Sequence, residues 1–315
     1  MVDKRINNEY IEIIFNVNFI KIMKLQILIF IVLFGCTNNL SPPSEYQEWK
    51  IKRKSALYAE DGYLNLAGLY PIENGSYTIG SGDYNDIKFP EDFLENFGKA
   101  VIEDSIISFY FNDNVILNDT LKTKYFKYNY FKYQNNFTLG SFLWYVHMDS
   151  GVKGIRIRNF QHPLLEKDLD INFFSYKPKM NIKANFERFS KPSIKKLKNI
   201  QGGFFNDTIP GIIHFNFNNN NYSLQPTIAP SGRFFIVFGD QTNGNESYGG
   251  GRFLYIDPPK KNGDIIIDFN KAYNPPCVFS TFTTCPIPSK ENILPFKVNA
   301  GEKKYNGILF SGVYQ

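Results

Sequence analysis

Ile212-Ile213-His214-Phe215-Asn216-Phe217 decides the architecture. In an extended chain Ile213, Phe215 and Phe217 fall on one face, and Ile212, His214 and Asn216 on the other. That two-residue period marks a strand with one buried side. Comparable short runs rich in β-branched and aromatic residues lie on both sides of it. Upstream they are Tyr77 to Ile79, Ile106 to Phe111, Val115 to Leu117, Lys122 to Tyr133, Phe142 to His147 and Ile155 to Arg158. Downstream they are Phe234 to Phe238, Phe253 to Ile256, Ile265 to Phe269 and Phe296 to Val298. Turn signals separated by roughly 8–12 residues punctuate them, the spacing of antiparallel β structure. The expected fold is mainly β, built of antiparallel sandwich or barrel-like units. One N-terminal amphipathic helix is expected over Ser44 to Leu57. There Ser44 and Gln47 fit a capping box, and Tyr46, Trp49, Arg53 and Ala56/Leu57 recur at helical spacing.

Composition narrows the function classes. With 43% hydrophobic and 21% charged residues, and with 31 Phe and 20 Tyr, the chain has ample material for a core and is not disordered. Net charge is only +5 and is spread along the sequence, so nucleic acid is not an expected partner. Three His and three Cys leave little for a closed zinc site, and neither metal nor cofactor is expected.

Residues 1–35 read as a leader and lipoprotein signal peptide, with Met23 as the natural start. Lys24 precedes the apolar run Leu25 to Phe34, too short for a bilayer span, which needs about 20 residues. Leu33-Phe34-Gly35-Cys36 resembles a bacterial lipobox, so Cys36 is the expected lipidation site and the membrane a partner through it. The expected location is the cell envelope, facing the periplasm or the cell surface. Residues 36–44 read as a tether, 45–160 as the helix plus a sandwich-like domain, 161–192 as a connector, and 193–315 as a C-terminal β domain. In an oxidising compartment Cys277 and Cys285, with seven residues between them and flanked by Pro275-Pro276 and Pro286, are expected to form a disulfide. In the chain-entropy view it contributes on the order of 2–3 kcal/mol.

Two C-terminal segments carry the candidate site. In Phe238 to Leu254, the run Gly249-Gly250-Gly251 permits close backbone approach, and Arg252 adds a planar charged fork, together suiting an anion. The bland alternative pairs Arg252 with Asp240 or Asp268. In Ile265 to Cys277 a hydrophobic strand runs into Asp268, Asn270, Tyr273 and Asn274, polar groups preset by a rigid strand end. These residues suit a polar ligand equally with satisfying the backbone of an ordered loop. The leading expectation is a binding or assembly module for a small polar or anionic ligand or an envelope protein. The rival is a glycan-directed hydrolase using Asp240, Asp268 or Glu302 as paired carboxylates. A purely structural scaffold is the third reading. No Gly-x-Ser-x-Gly elbow accompanies His147, His162 or His214, which argues against a serine hydrolase.

Two resemblances accompany these readings. Gly75 to Pro90, with Ile79-Gly80 before Asn85-Asp86-Ile87, resembles the opening of a forkhead-associated sandwich. Ser81 stands where that family places the phosphate-binding Arg, so phosphopeptide binding does not carry over. A longer series resembles the bacterial family known as domain of unknown function 1684. It comprises Gly62-Tyr63-Leu64 after Trp49, Gly154-Ile155-Arg156-Ile157-Arg158, Tyr248-Gly249-Gly250-Gly251-Arg252-Phe253-Leu254, Asp268-Phe269-Asn270 through Tyr273-Asn274-Pro275-Pro276-Cys277, Thr284-Cys285-Pro286 and Ala300-Gly301-Glu302-Lys303. It spans about residues 49 to 305. It implies a shared fold and no activity.

Overall fold

Helix α1 spans Ser44–Tyr58, within one residue of the expected range. The computed structural model describes residues 41–149 and 151–307; the leader and Cys36 lie outside the described residues. In α1 only Tyr46 and Leu57 are buried, so the apolar stripe is thinner than its sequence spacing suggests. Arg53 adds a buried ion pair with Glu302, and Trp49 and Tyr58 add contacts to Phe173 and Lys167.

The strands through Asn159 form one nine-stranded, nearly closed barrel-like sheet. They are β1 (Leu66–Pro71), β2 (Gly75–Gly80), β3 (Ile87–Lys88), β4 (Gly98–Glu103), β5 (Ile106–Leu117), β6 (Leu121–Asn129), β7 (Phe137–Leu139), β8 (Phe142–Asp149) and β9 (Val152–Asn159). All pairs are antiparallel except β2 with β3. The two runs on either side of Asn112 to Asn114 are one strand, β5, whose register slips between Tyr110 and Val115. Inside the barrel Trp144 is fully buried among Phe89, Phe93, Phe97, Phe111 and Phe137. This aromatic packing accounts for much of the Phe content of the first half.

The remaining strands build a sandwich. One sheet is ordered β12–β11–β10–β16, from β10 (Asn181–Lys198), β11 (Phe204–Phe217), β12 (Asn220–Leu224) and β16 (Gly263–Asp268). The other is β13–β14–β15, from β13 (Thr227–Ile228), β14 (Phe234–Phe238) and β15 (Arg252–Ile256). Ile213, Phe215 and Phe217 of β11 point into the core between them while His214 is exposed, the alternation their sequence calls for. They pack with Phe186, Ile236, Phe238 and Ile267.

Three expectations need correction. The stretch 161–192 is not simply a connector, because β10 begins at Asn181 and runs across its end. Pro192 disguises that strand, and the pairing slips just there, between Arg188 and Ser193. Phe296 to Val298 is not a strand; its backbone groups instead serve Asp240 and Arg252, as described next. Finally, the chain from Ser44 onward is one compact unit rather than two.

Candidate functional site

Arg252 opens β15 directly after the glycine run. Gly251 has φ of 90°, and a Cβ there would lie 2.4 Å from Pro288 Cγ, so glycine is demanded by the turn itself. The turn sends Arg252 inward, where it is fully buried. Its Nη2 donates to Asp240 Oδ2 at 2.7 Å and to Val298 O at 2.7 Å, and Nη1 donates to Ala300 O. Asp240 Oδ1 in turn accepts from Thr242 N at 2.8 Å and Val298 N at 3.1 Å. Burial pushes the guanidinium pKa down, and Asp240 opposes that shift. The anion that this fork holds is therefore the chain's own carboxylate. The expected anion site at Arg252, with Gly249, Gly250 and Gly251, is replaced by an internal ion pair.

The Asp268 segment has the same character. Asp268 Oδ1 caps the turn at Asn270 N, and Asn270 clasps Lys177 through both its backbone groups, at 2.9 and 3.0 Å. Asn274 donates from N to Glu302 Oε2 at 2.8 Å and from Nδ2 to Lys303 O at 2.8 Å. Glu302, with no exposed surface, accepts from Arg53 Nε of α1 at 2.8 Å, and Arg53 Nη2 reaches Asn274 O at 3.0 Å. Most polar atoms here are partnered, although Arg252 Nε and Asn274 Oδ1 are not. Glycoside cleavage needs two carboxyl groups facing a substrate gap. Asp240 and Glu302 instead face cations inside the core, so the paired-carboxylate reading loses two of its three residues. Among the described residues, no group of three or more His, Cys, Asp or Glu is placed to hold a metal ion.

An open site lies elsewhere, at the seam where α1, the barrel edge and the sandwich meet. It is a cleft of ≈ 650 Å³, within the usual range for small-molecule sites. Aromatic and aliphatic side chains make most of its wall, among them Trp49, Phe205, Ile209, Phe235 and Phe253. Its polar part holds Tyr63, Tyr255, Tyr273 and Thr284 with the charged Lys52, Arg53, Arg156, Asp149 and Asp207. Arg53 lies 4.5 Å above the Tyr273 ring, and the Tyr255 and Tyr273 rings stack at 6.2 Å. Burial raises the pKa of all three tyrosines, keeping them neutral donors. Arg156 is 8% exposed; its Nη2 donates to Phe282 O at 3.1 Å, while Nε has no partner. His147 Nε2 sits 3.4 Å from Thr284 Oγ1 behind this wall. Burial, then the charges of Arg156 and Arg158, depress its pKa to about 3, so it is a neutral ring.

Of the expected ligand residues, only Tyr273 lines this cleft. Arg156, Tyr63, Trp49 and Arg53 were visible in sequence only as parts of the family resemblance or of the helix. One signal was available. In β9 Ile155 and Ile157 fill the barrel, and Arg156 and Arg158 alternate with them yet are themselves buried. Arginines on the outer face of a strand rich in core residues announce that something covers that face. Cys285 also lines the cleft. Cys277 and Cys285 are free thiols, with Cys277 N donating to Cys285 Sγ at 3.1 Å.

No curated protein matches the chain. Among solved structures, an uncharacterized protein of Haloarcula marismortui, determined by solution NMR, is similar at 26% identity. The match covers 45% of this chain and 80% of that one, with a TM-score of 0.38. Residues 169–303, which hold the Arg252 network, Tyr273 and both thiols, match the family described as protein of unknown function (DUF1684).

Proposed function

We propose that the protein is a lipid-anchored envelope binding module whose seam cleft takes a small ligand with a flat, apolar body and one anionic group. The observation that carries this reading is the cleft itself: a cavity of ≈ 650 Å³ with an aromatic and aliphatic wall and, at its polar part, the guanidinium of Arg156, whose Nε has no partner. A planar charged fork in a poorly hydrated wall favours a carboxylate or sulfonate over a neutral group. Stacked Tyr255 and Tyr273 favour a flat body. Membrane attachment rests on the sequence ending Leu33-Phe34-Gly35-Cys36, and in that oxidising compartment the neighbouring Cys277 and Cys285 are expected to bridge.

The test uses 8-anilinonaphthalene-1-sulfonate, an aromatic sulfonate that fluoresces when desolvated. Folded full-length protein should bind one equivalent. Arg156→Gln should weaken binding about tenfold, or ~1.4 kcal/mol, without changing the folded spectrum. Arg156→Lys should recover only part, because a point charge cannot replace the fork. Equal affinity of Arg156→Gln and wild type, or no binding by the folded protein, discards the cleft reading. Palmitate labelling in cells that persists in Cys36→Ser discards the anchor.

A further inference from the structure

We infer that Cys277 and Cys285 form a reversible dithiol–disulfide couple that exchanges with small-molecule disulfides, Cys277 attacking and Cys285 resolving. The inference does not rest on the ligand proposed for the cleft. Its first ground is adjacency. Cys277 N–H donates to Cys285 Sγ at 3.1 Å, and Pro275-Pro276 on one side and Pro286 on the other hold the two chain segments stiffly. The second ground is asymmetry of access. Cys277 is partly exposed, whereas Cys285 is buried at 4%. An external disulfide therefore meets Cys277 first, because Cys285, although it lines the cleft, is nearly covered.

The surroundings give the two sulfurs different chemistry. Cys277 Sγ lies 3.7 Å from Tyr248 Oη. The Cys285 thiol and the Tyr248 hydroxyl both donate to a Cys277 thiolate and hold its pKa below the usual thiol range. Cys285 is pushed the other way, by donating to Cys277 and by burial. A thiolate is the species that attacks a disulfide. A backbone N–H aimed at Cys285 Sγ makes that sulfur a stabilised leaving group when the bridge is later reduced.

The Cys277 thiolate attacks one sulfur of a small disulfide R–S–S–R, forming the Cys277 Sγ–S–R bond and expelling R–S⁻, which takes up the proton lost from Cys277. Cys285 then gives up its proton and attacks Cys277 Sγ, forming the Cys277–Cys285 bond and expelling a second R–S⁻, which takes up that proton. The two cysteines are oxidised by two electrons and the small disulfide is reduced to two thiols. The reverse sequence, begun by a small thiolate attacking Cys277 Sγ, restores the pair.

The experiment uses the full chain carrying Cys36→Ser, reduced, desalted and incubated with oxidised glutathione under native conditions. Mass spectrometry should show loss of two hydrogens with no glutathione retained. In Cys285→Ser a glutathione adduct should accumulate on Cys277. Cys277→Ser should react about tenfold more slowly or less. Reduced glutathione should reopen the bridge without denaturant. A stable adduct on otherwise wild-type protein, an adduct placed on Cys285, or a bridge that resists native reduction overturns the inference, the last by making the bond a static brace. Should a serine variant fail to fold, rapid alkylation of the wild-type reaction decides the matter. A transient glutathione on Cys277 supports the sequence of steps, and one on Cys285 overturns it.

Discussion

His147 and His162 are both buried, and each is kept neutral in the folded chain. Burial with the neighbouring Arg156 and Arg158 takes His147 to about 3, and burial takes His162 to about 4. An unfolded histidine titrates near 6.5. Between those values the unfolded chain binds protons that the native chain refuses, so acid favours unfolding. The stability due to neutral burial is complete above pH ~6.5 and is lost as pH falls toward 4 and then 3. Urea unfolding at pH 7.5 and pH 5 should show a clear loss at the lower value, and His147→Gln should shrink the difference. An unchanged difference in that variant would assign the acid sensitivity to other groups. Residue roles of this kind were only partly legible. The sequence offered Asp240 and Asp268 equally as partners for Arg252. The choice comes from the β14–β15 register, which sets Phe238 opposite Arg252 and leaves Asp240 just beyond the pair, within 2.7 Å of the guanidinium. Tyr273, which lines the cleft, could be singled out from sequence because it follows a rigid strand, whereas Arg156 could not, because its cover comes from residues far along the chain.

Helix α1 shows what an element's sequence does and does not announce. Its spacing located it, but its docking includes a buried ion pair, Arg53 with Glu302, 249 residues apart. Such a pair leaves no local pattern. β10 failed to announce itself for a related reason, since residues 161–192 read as a connector although the strand's first half alternates buried Ile182, Ala184 and Phe186. The helix makes a sharp prediction. Arg53→Ala strands the Glu302 carboxylate without its cation in the core and should cost about 3–5 kcal/mol, read as a lower denaturant midpoint. Replacing both, as Arg53→Met with Glu302→Gln, should cost clearly less, because no buried charge is then left unpaired. In the single variant, hydrogen exchange should rise in α1 before it rises in β8 or β9. Uniform loss of protection would mean that the helix is not a separately docked element.

At the scale of the molecule, barrel and sandwich each have a core, but a third cluster joins them. It contains Leu57 of α1, Leu64, Leu164 and Leu169 together with Val278 and Phe279 from the loop that carries Cys277. The cleft lies on the same seam and draws Trp49, Arg53, Tyr63 and Arg156 from before the family match and Phe253, Tyr255 and Tyr273 from within it. Residues 169–303 therefore hold a complete sandwich core with an incomplete base. Glu302 lacks Arg53, and Val278 and Phe279 lack three leucines that cover them. Uncovered apolar surface and an unpaired buried carboxylate both oppose folding. The isolated fragment 169–303 should melt broadly, at lower temperature, and should not bind 8-anilinonaphthalene-1-sulfonate at a single site. The full chain should unfold in one step, reported alike by Trp49 on the seam and Trp144 in the barrel when each is observed in the absence of the other. A fragment that melts as sharply and as high as the full chain would show that the seam contributes nothing to stability. The cleft would then be a gap between independent domains, and the placing of Arg156 opposite the tyrosines would have no structural cause.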